Sequence, residues 1–126
     1  MHPQPLIAVE DVEKTSLWYQ TMLGLSSGHG GKEYEQLMFN QHMVLQLHQW
    51  QAHEHPHIGS PNTAIGNGVL LWFESSQFDE IVQKLQNHQV EILEGPKYNA
   101  NAHHREVWFK DPNGYTLVVA SPYGDV

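Results

Sequence analysis

A chain of 126 residues, 40% of them hydrophobic, can fold as one compact domain with a real core. Its formal charge of −8 at pH 7 argues against nucleic acid, whose phosphates repel a net anion, and against an anionic membrane surface. The absence of cysteine excludes disulfides, thiolate catalysis and zinc knuckles. No apolar run approaches the length of a membrane span, and Met1-His2-Pro3-Gln4-Pro5 lacks the basic and apolar regions of a signal peptide, so a cytoplasmic location is expected. Protonating all ten histidines would carry the net charge from −8 to +2, so the electrostatic character should change between roughly pH 7 and pH 5.5.

In chain order, Leu6 to Val9 is a short apolar run that predicts a strand. Asp11 can cap a following helix, and Val12, Ser16, Tyr19 and Leu23 mark one helical face, with Trp18 and Met22 beside it. Gly24 is a stop signal, and Ser26 to Gly31 is a turn-rich stretch. Tyr34 to Phe39 and Met43 to His48 read as strands joined by a tight link at Asn40-Gln41. Residues 49–68 carry no clear period; a loop of that length within a compact domain is usually functional or disordered.

The pattern then restarts. Val69 to Phe73 predicts a strand, Ser76 a helix cap with Asp79 as its capping-box partner, and Phe78, Ile81, Val82 and Leu85 a helix face. Val90 to Leu93, Glu106 to Phe109 and Tyr115 to Ala120 predict three more strands. Asp111-Pro112-Asn113-Gly114 is a strong turn, because proline presets its backbone and glycine accepts positive φ. Strand, helix and strands are thus stated twice, Val9-Glu10-Asp11 corresponding to Phe73-Glu74-Ser75 without appreciable identity between the halves.

Two stretches carry a family resemblance. Ile7-Ala8-Val9-Glu10-Asp11, the helix through Ser16-Leu17-Trp18-Tyr19, and Leu23-Gly24-Leu25 form the first. Val107-Trp108-Phe109-Lys110-Asp111-Pro112-Asn113-Gly114-Tyr115 is the second. Together they resemble the vicinal oxygen chelate superfamily of glyoxalase I, bleomycin-resistance proteins and extradiol dioxygenases, over Gln4 to Pro122. The resemblance implies an α+β fold, two βαβββ modules whose curved mixed sheets surround a cleft. It implies one glyoxalase-like domain over 1–126, with module one at about 4–50, a loop at 51–66 and module two at about 67–122. Metal-dependent members hold a divalent ion in that cleft, where it stabilises a developing oxyanion.

The positions that the resemblance implies for metal ligands are Gln4, Gln46, Gly68 and Val118. Two of these have no donor side chain, and two neutral amides cannot offset a divalent charge, so no ion is expected at the usual site. Strand alternation places Leu6, Ala8, Val44 and His48 on the face of Gln4 and Gln46, and places Leu70, Trp72, Thr116 and Ala120 on the cleft side of the second module. Such a lining suits an apolar ligand oriented by few hydrogen bonds, with Gln4, Gln46, His48, Trp72 and Arg105 as candidate contacts. Trp72 is equally explained by core packing.

His48, His53, His55 and His57 crowd one segment, and alternate histidines on extended chain can share an ion. They offer a displaced divalent-metal site, or an acid–base pair built on His48; the plainer reading is a solvated polar lid. His29 and His103-His104 are further candidates if their loops reach the cleft. Arg105, the only arginine, suits a ligand carboxylate or phosphate, or a salt bridge to Glu106 or Glu94. Two functions follow. One is a protein of the bleomycin-resistance kind that binds a small molecule, favourably a cation given the acidic chain, and pairs as a homodimer. The other is a metal-dependent lyase, isomerase or dioxygenase with non-standard histidine ligands. Trp18, Trp50 and Trp108 either line an interface or fill the core.

Overall fold

The computed structural model describes residues 1–126 except the side chains of Glu54 and Pro56. Two compact units share the chain, Met1–Thr63 and Ala64–Val126. Each holds one helix and one four-stranded mixed sheet.

In the first unit, β1 (Leu6–Val9), α1 (Val12–Leu23), β2 (Ser26–Ser27), β3 (Tyr34–Phe39) and β4 (His42–Gln49) give the sheet order β1-β4-β3-β2. The β1–β4 pair is parallel and the others are antiparallel. The Asp11 carboxylate accepts from the Lys14 amide at 3.0 Å and so caps α1, and Gly24, at φ 71°, ends it by donating to the Gln20 carbonyl. Val12, Ser16, Tyr19 and Leu23 are buried, together with Thr15 and Met22. They meet Ile7, Val9, Leu37, Leu45 and Leu47, the alternate residues of the sheet, whose burial supplies the main drive for this unit. Asn40 and Gln41 take positive φ at the β3–β4 link, as a two-residue hairpin with the twist of its strands requires.

The second unit repeats the order: β5 (Leu71–Glu74), α2 (Phe78–Asn87), β6 (Ile92–Asn99), β7 (His104–Lys110) and β8 (Thr116–Ala120), with sheet order β5-β8-β7-β6. Phe78, Ile81 and Leu85 of α2 are buried, as are Val107, Phe109, Leu117 and Val119. The Asp111 carboxylate accepts from the amides of Asn113 and Tyr115, both at 2.9 Å, and Gly114 sits at φ 95°, so the 111–114 turn forms as its residues predict. The chain is thus an α+β fold of two βαβββ modules.

Several boundaries differ from expectation. β5 starts at Leu71, because the chain at Gly66–Val69 is still turning, the Val69 amide donating to the Gly66 carbonyl. Ser76 does not cap α2; its neighbour Ser75 accepts from the Gln77 amide at 3.0 Å, and Gln77 occupies the cap position without a side-chain bond. β6 runs far past Leu93 to Asn99, through Gly95-Pro96, with register shifts between Ile92 and Lys97. Gly-Pro reads as a strand end in sequence, yet an edge strand tolerates a residue that cannot donate to the ladder. β2 went unpredicted because two serines show neither alternation nor β-branching. Among the described residues no helix is long and apolar enough to cross a membrane.

Candidate functional site

The helix-facing rows of the first sheet are its core, so the opposite rows are the surface available for chemistry. Register aligns Leu6, Gln46 and Gln36 in one row and Ala8, His48 and Tyr34 in the next. Gln46 therefore lies beside Leu6 and His48 beside Ala8, as strand alternation predicts. Both ends of the Gln46 amide have partners. Its oxygen accepts from the Tyr34 hydroxyl, and its nitrogen donates to the backbone carbonyl of Gln4 at 2.9 Å. Gln36 in turn donates to the Tyr34 hydroxyl at 3.1 Å. Gln4 thus meets Gln46 through its main chain.

His48 is the next-to-last residue of β4 and is 5% exposed. Its Nδ1 lies 2.8 Å from the Gln49 carbonyl. A carbonyl only accepts, so this bond needs a proton on Nδ1, and the neutral tautomer that makes it leaves the Nε2 lone pair available. The chain then turns through a short 3-10 stretch, Ala52–Glu54, in which His53 has a left-handed backbone at φ 59°. His53 and His55 return with ring centroids 5.4 and 4.9 Å from that of His48. One ring nitrogen from each of the three lies within 4.8 Å of those of the other two, so the group could hold a metal ion. The Nε2 atom of His53 stands 2.8 Å from the Glu33 carboxylate. His57 is exposed and falls outside this group. His29 packs edge-on to Tyr34 at 5.1 Å, close to the same sheet face.

On the second sheet, Trp72, Val118 and Trp108 form one row across β5, β8 and β7. Val118 is fully buried between the two tryptophans in that row, Trp72 is 48% exposed, and their rings meet edge-on at 6.3 Å. In the adjacent row stands Glu106, which is buried. Its carboxylate accepts from His104 Nε2 at 2.8 Å, from the Asn99 amide at 3.2 Å and from the Trp108 indole at 3.2 Å. Burial alone would raise the carboxyl's pKa, but these hydrogen bonds, led by that of His104, outweigh it and hold the group below the ordinary carboxylate value. An ionised carboxylate is therefore kept beneath an indole edge.

Arg105 points elsewhere. Its guanidinium donates to Asp79 at 2.6 Å and to Asp125 at 2.9 Å, and lies 4.8 Å from the centre of the Phe78 ring. Its partners are thus Asp79 and Asp125 rather than Glu106 or Glu94. With Phe78, Asp79 and Val82 it borders a shallow pocket of about 330 Å³. Tyr34, Gln36 and Glu106, which bond to the candidate positions Gln46 and Trp108 or to each other, are not singled out by the sequence. Extending the alternation rule to β3 would have placed Tyr34 and Gln36 with Gln46, and Glu106 lies two residues before Trp108 on the same strand face.

Similar folds are found among solved structures. An integron cassette protein from V. cholerae superposes with a TM-score of 0.73 at 23% identity, covering 96% of this chain and 94% of that one. A virulence protein from Salmonella typhimurium gives 0.73 at 21% identity, covering 96% and 95%. TioX from Micromonospora sp. ML1 gives 0.75 at 12% identity, covering 96% and 98%. At such identities the likeness shows the fold. No curated protein matches the sequence. The sequence pattern of the glyoxalase/bleomycin resistance protein/dioxygenase superfamily matches residues 2–119, and the chain belongs to that superfamily.

Proposed function

We propose that the protein binds a flat, positively charged small molecule on the open face of its second sheet, and that it does so without an ion at the positions metal-dependent relatives use. The observation that carries this reading is the row Trp72–Val118–Trp108. Where the family resemblance implies a metal carboxylate, the chain has a buried valine between two indoles. An aliphatic side chain offers an ion nothing, whereas the half-exposed ring of Trp72 offers an aromatic ligand a face to stack on.

The donor set at the usual positions supports the same reading. Gly68 and Val118 have no donor, and both polar ends of the Gln46 amide already have partners. Two neutral amides do not fit a divalent cation. A preference for cations follows from the net charge of −8, from the ionised Glu106 and from the indole π-faces.

The test is a tryptophan-fluorescence titration with bleomycin and with an acridinium dye, each paired with a neutral analogue of similar size. Saturable quenching by the cations, weakened at least about tenfold in Trp72→Ala, is the expected result. Equal binding of the neutral analogues would overturn the charge argument. Quenching that survives Trp72→Ala, or none at all, would overturn the site. Metal-dependent turnover of the methylglyoxal–glutathione hemithioacetal would overturn the loss of the usual centre.

A further inference from the structure

We propose that His48, His53 and His55 form a site for one nitrogen-preferring divalent cation, of the zinc, cobalt or nickel type, and that Glu33 orients one of its ligands. The site lies in the first unit, apart from the positions the superfamily uses, and does not depend on the reading of Trp72.

Three features of the geometry carry it. The first is convergence: one ring nitrogen of each histidine lies within 4.8 Å of the others. In a tetrahedral zinc site with bonds near 2.05 Å, ligand nitrogens stand about 3.3 Å apart. The gap to close is at most about 1.5 Å, within reach of rotamer changes in the exposed His53 and His55 about a fixed, buried His48.

The second is proton placement. A metal-bound imidazole is neutral, gives one nitrogen to the ion and usually donates its other N–H to a carbonyl or carboxylate. His48 does this with the Gln49 carbonyl, 2.8 Å from Nδ1, leaving Nε2 for the ion. His53 does it with the Glu33 carboxylate, 2.8 Å from Nε2, leaving Nδ1. Two of the three ligands thus already have the outer partners that fix a tautomer and raise ligand basicity.

The third is charge and chemistry. Imidazoles select borderline transition metals over the hard magnesium and calcium ions. Three neutral imidazoles do not compensate the ion's charge, and Glu33 together with a net charge of −8 supplies the offset. Three protein ligands leave a fourth position for water or a ligand atom.

The experiment is calorimetric titration of the full, tag-free chain with Zn²⁺, and with Co²⁺ followed by visible absorption. The expected result is one equivalent bound at micromolar affinity or tighter, with the intense visible bands of four-coordinate cobalt. The double variant His53→Ala/His55→Ala, altered at two exposed positions, should lose at least about 100-fold in affinity, Glu33→Gln about tenfold, and His57→Ala nothing. No saturable binding up to about 100 µM metal by protein with native circular dichroism would overturn the proposal. So would unchanged affinity in the double variant, or a cobalt spectrum of the weak six-coordinate kind.

Discussion

Glu35 is the sharpest place to test how the first unit is held. The side chain is buried on the helix side of β3, and its carboxylate gathers five donors. They are Ser27 Oγ at 2.6 Å, Gly30 N at 2.7 Å, Ser16 Oγ at 2.8 Å, Gln36 N at 2.9 Å and His29 N at 3.1 Å. It thereby ties α1, β2 and the 28–31 turn to the sheet. Glu35→Ala would strand those donors; each unsatisfied buried group costs about 1–3 kcal/mol, partly relieved where the turn opens to water, so a loss of about 3–5 kcal/mol is expected. Glu35→Gln keeps an oxygen for the three amides and lets the two hydroxyls rotate to accept, so only the charge assistance goes, about 1–2 kcal/mol. Urea unfolding at pH 7 reads both: at a slope near 1.5 kcal/mol per molar, the alanine variant's midpoint should fall by roughly 2–3 M.

Acid gives an independent check of the same carboxylate. Burial raises its pKa, but the bonds from Ser27, Gly30, Ser16 and His29 prevail and the net shift is downward from 4.5. A depressed folded-state pKa means that the contribution is complete above the ordinary value and disappears as the pH falls through the lowered one. The stability gap between the native protein and Glu35→Gln should therefore be constant near neutrality and close progressively below about pH 4.5. A loss under about 1 kcal/mol in Glu35→Ala, or a gap that ignores acid, would refute the reasoning.

Three further outcomes follow from particular contacts. Gly95→Ala should destabilise by about 3 kcal/mol or more in the same urea assay, because Gly95 holds φ +80° and a Cβ there would stand 2.5 Å from the Glu106 carbonyl oxygen. Phe109→Ala removes a fully buried ring and should cost about 3–5 kcal/mol, most of it recovered by Phe109→Leu. Arg105→Ala should change stability only slightly, and less still in 1 M salt, since its ion pairs to Asp79 and Asp125 are solvent-accessible; a large, salt-insensitive loss would show that its packing on Phe78 dominates.

Much of the fold is local and was legible as such. Asp11, the Val12–Ser16–Tyr19–Leu23 face and Gly24 specify α1 through neighbours a few residues apart, and Asp111-Pro112-Asn113-Gly114 specifies its turn within four. Alternation along β4 likewise puts Gln46 and His48 on one face, independently of strand pairing. The apolar run Val90 to Leu93 predicts only the start of β6, whereas the strand's continuation through Gly95-Pro96 depends on β7 supplying partners as far as His104. The same holds for Glu106: nothing in its neighbours along the chain announces that Asn99, His104 and Trp108 will turn their donors onto it.

The candidate sites divide along that line. The sequence alone determined the residue types: a histidine-rich segment, two amides and a valine where metal ligands are implied, and tryptophans at alternating strand positions. Tertiary structure decided which of them meet. It chose His48, His53 and His55 and left His57 outside, gave Arg105 to Asp79 and Asp125, and put Val118 between Trp72 and Trp108. The physical reason is range. Propensity, capping and alternation act over a few residues, whereas a site is made by register between strands and by the path of a returning loop, which only the packed chain sets.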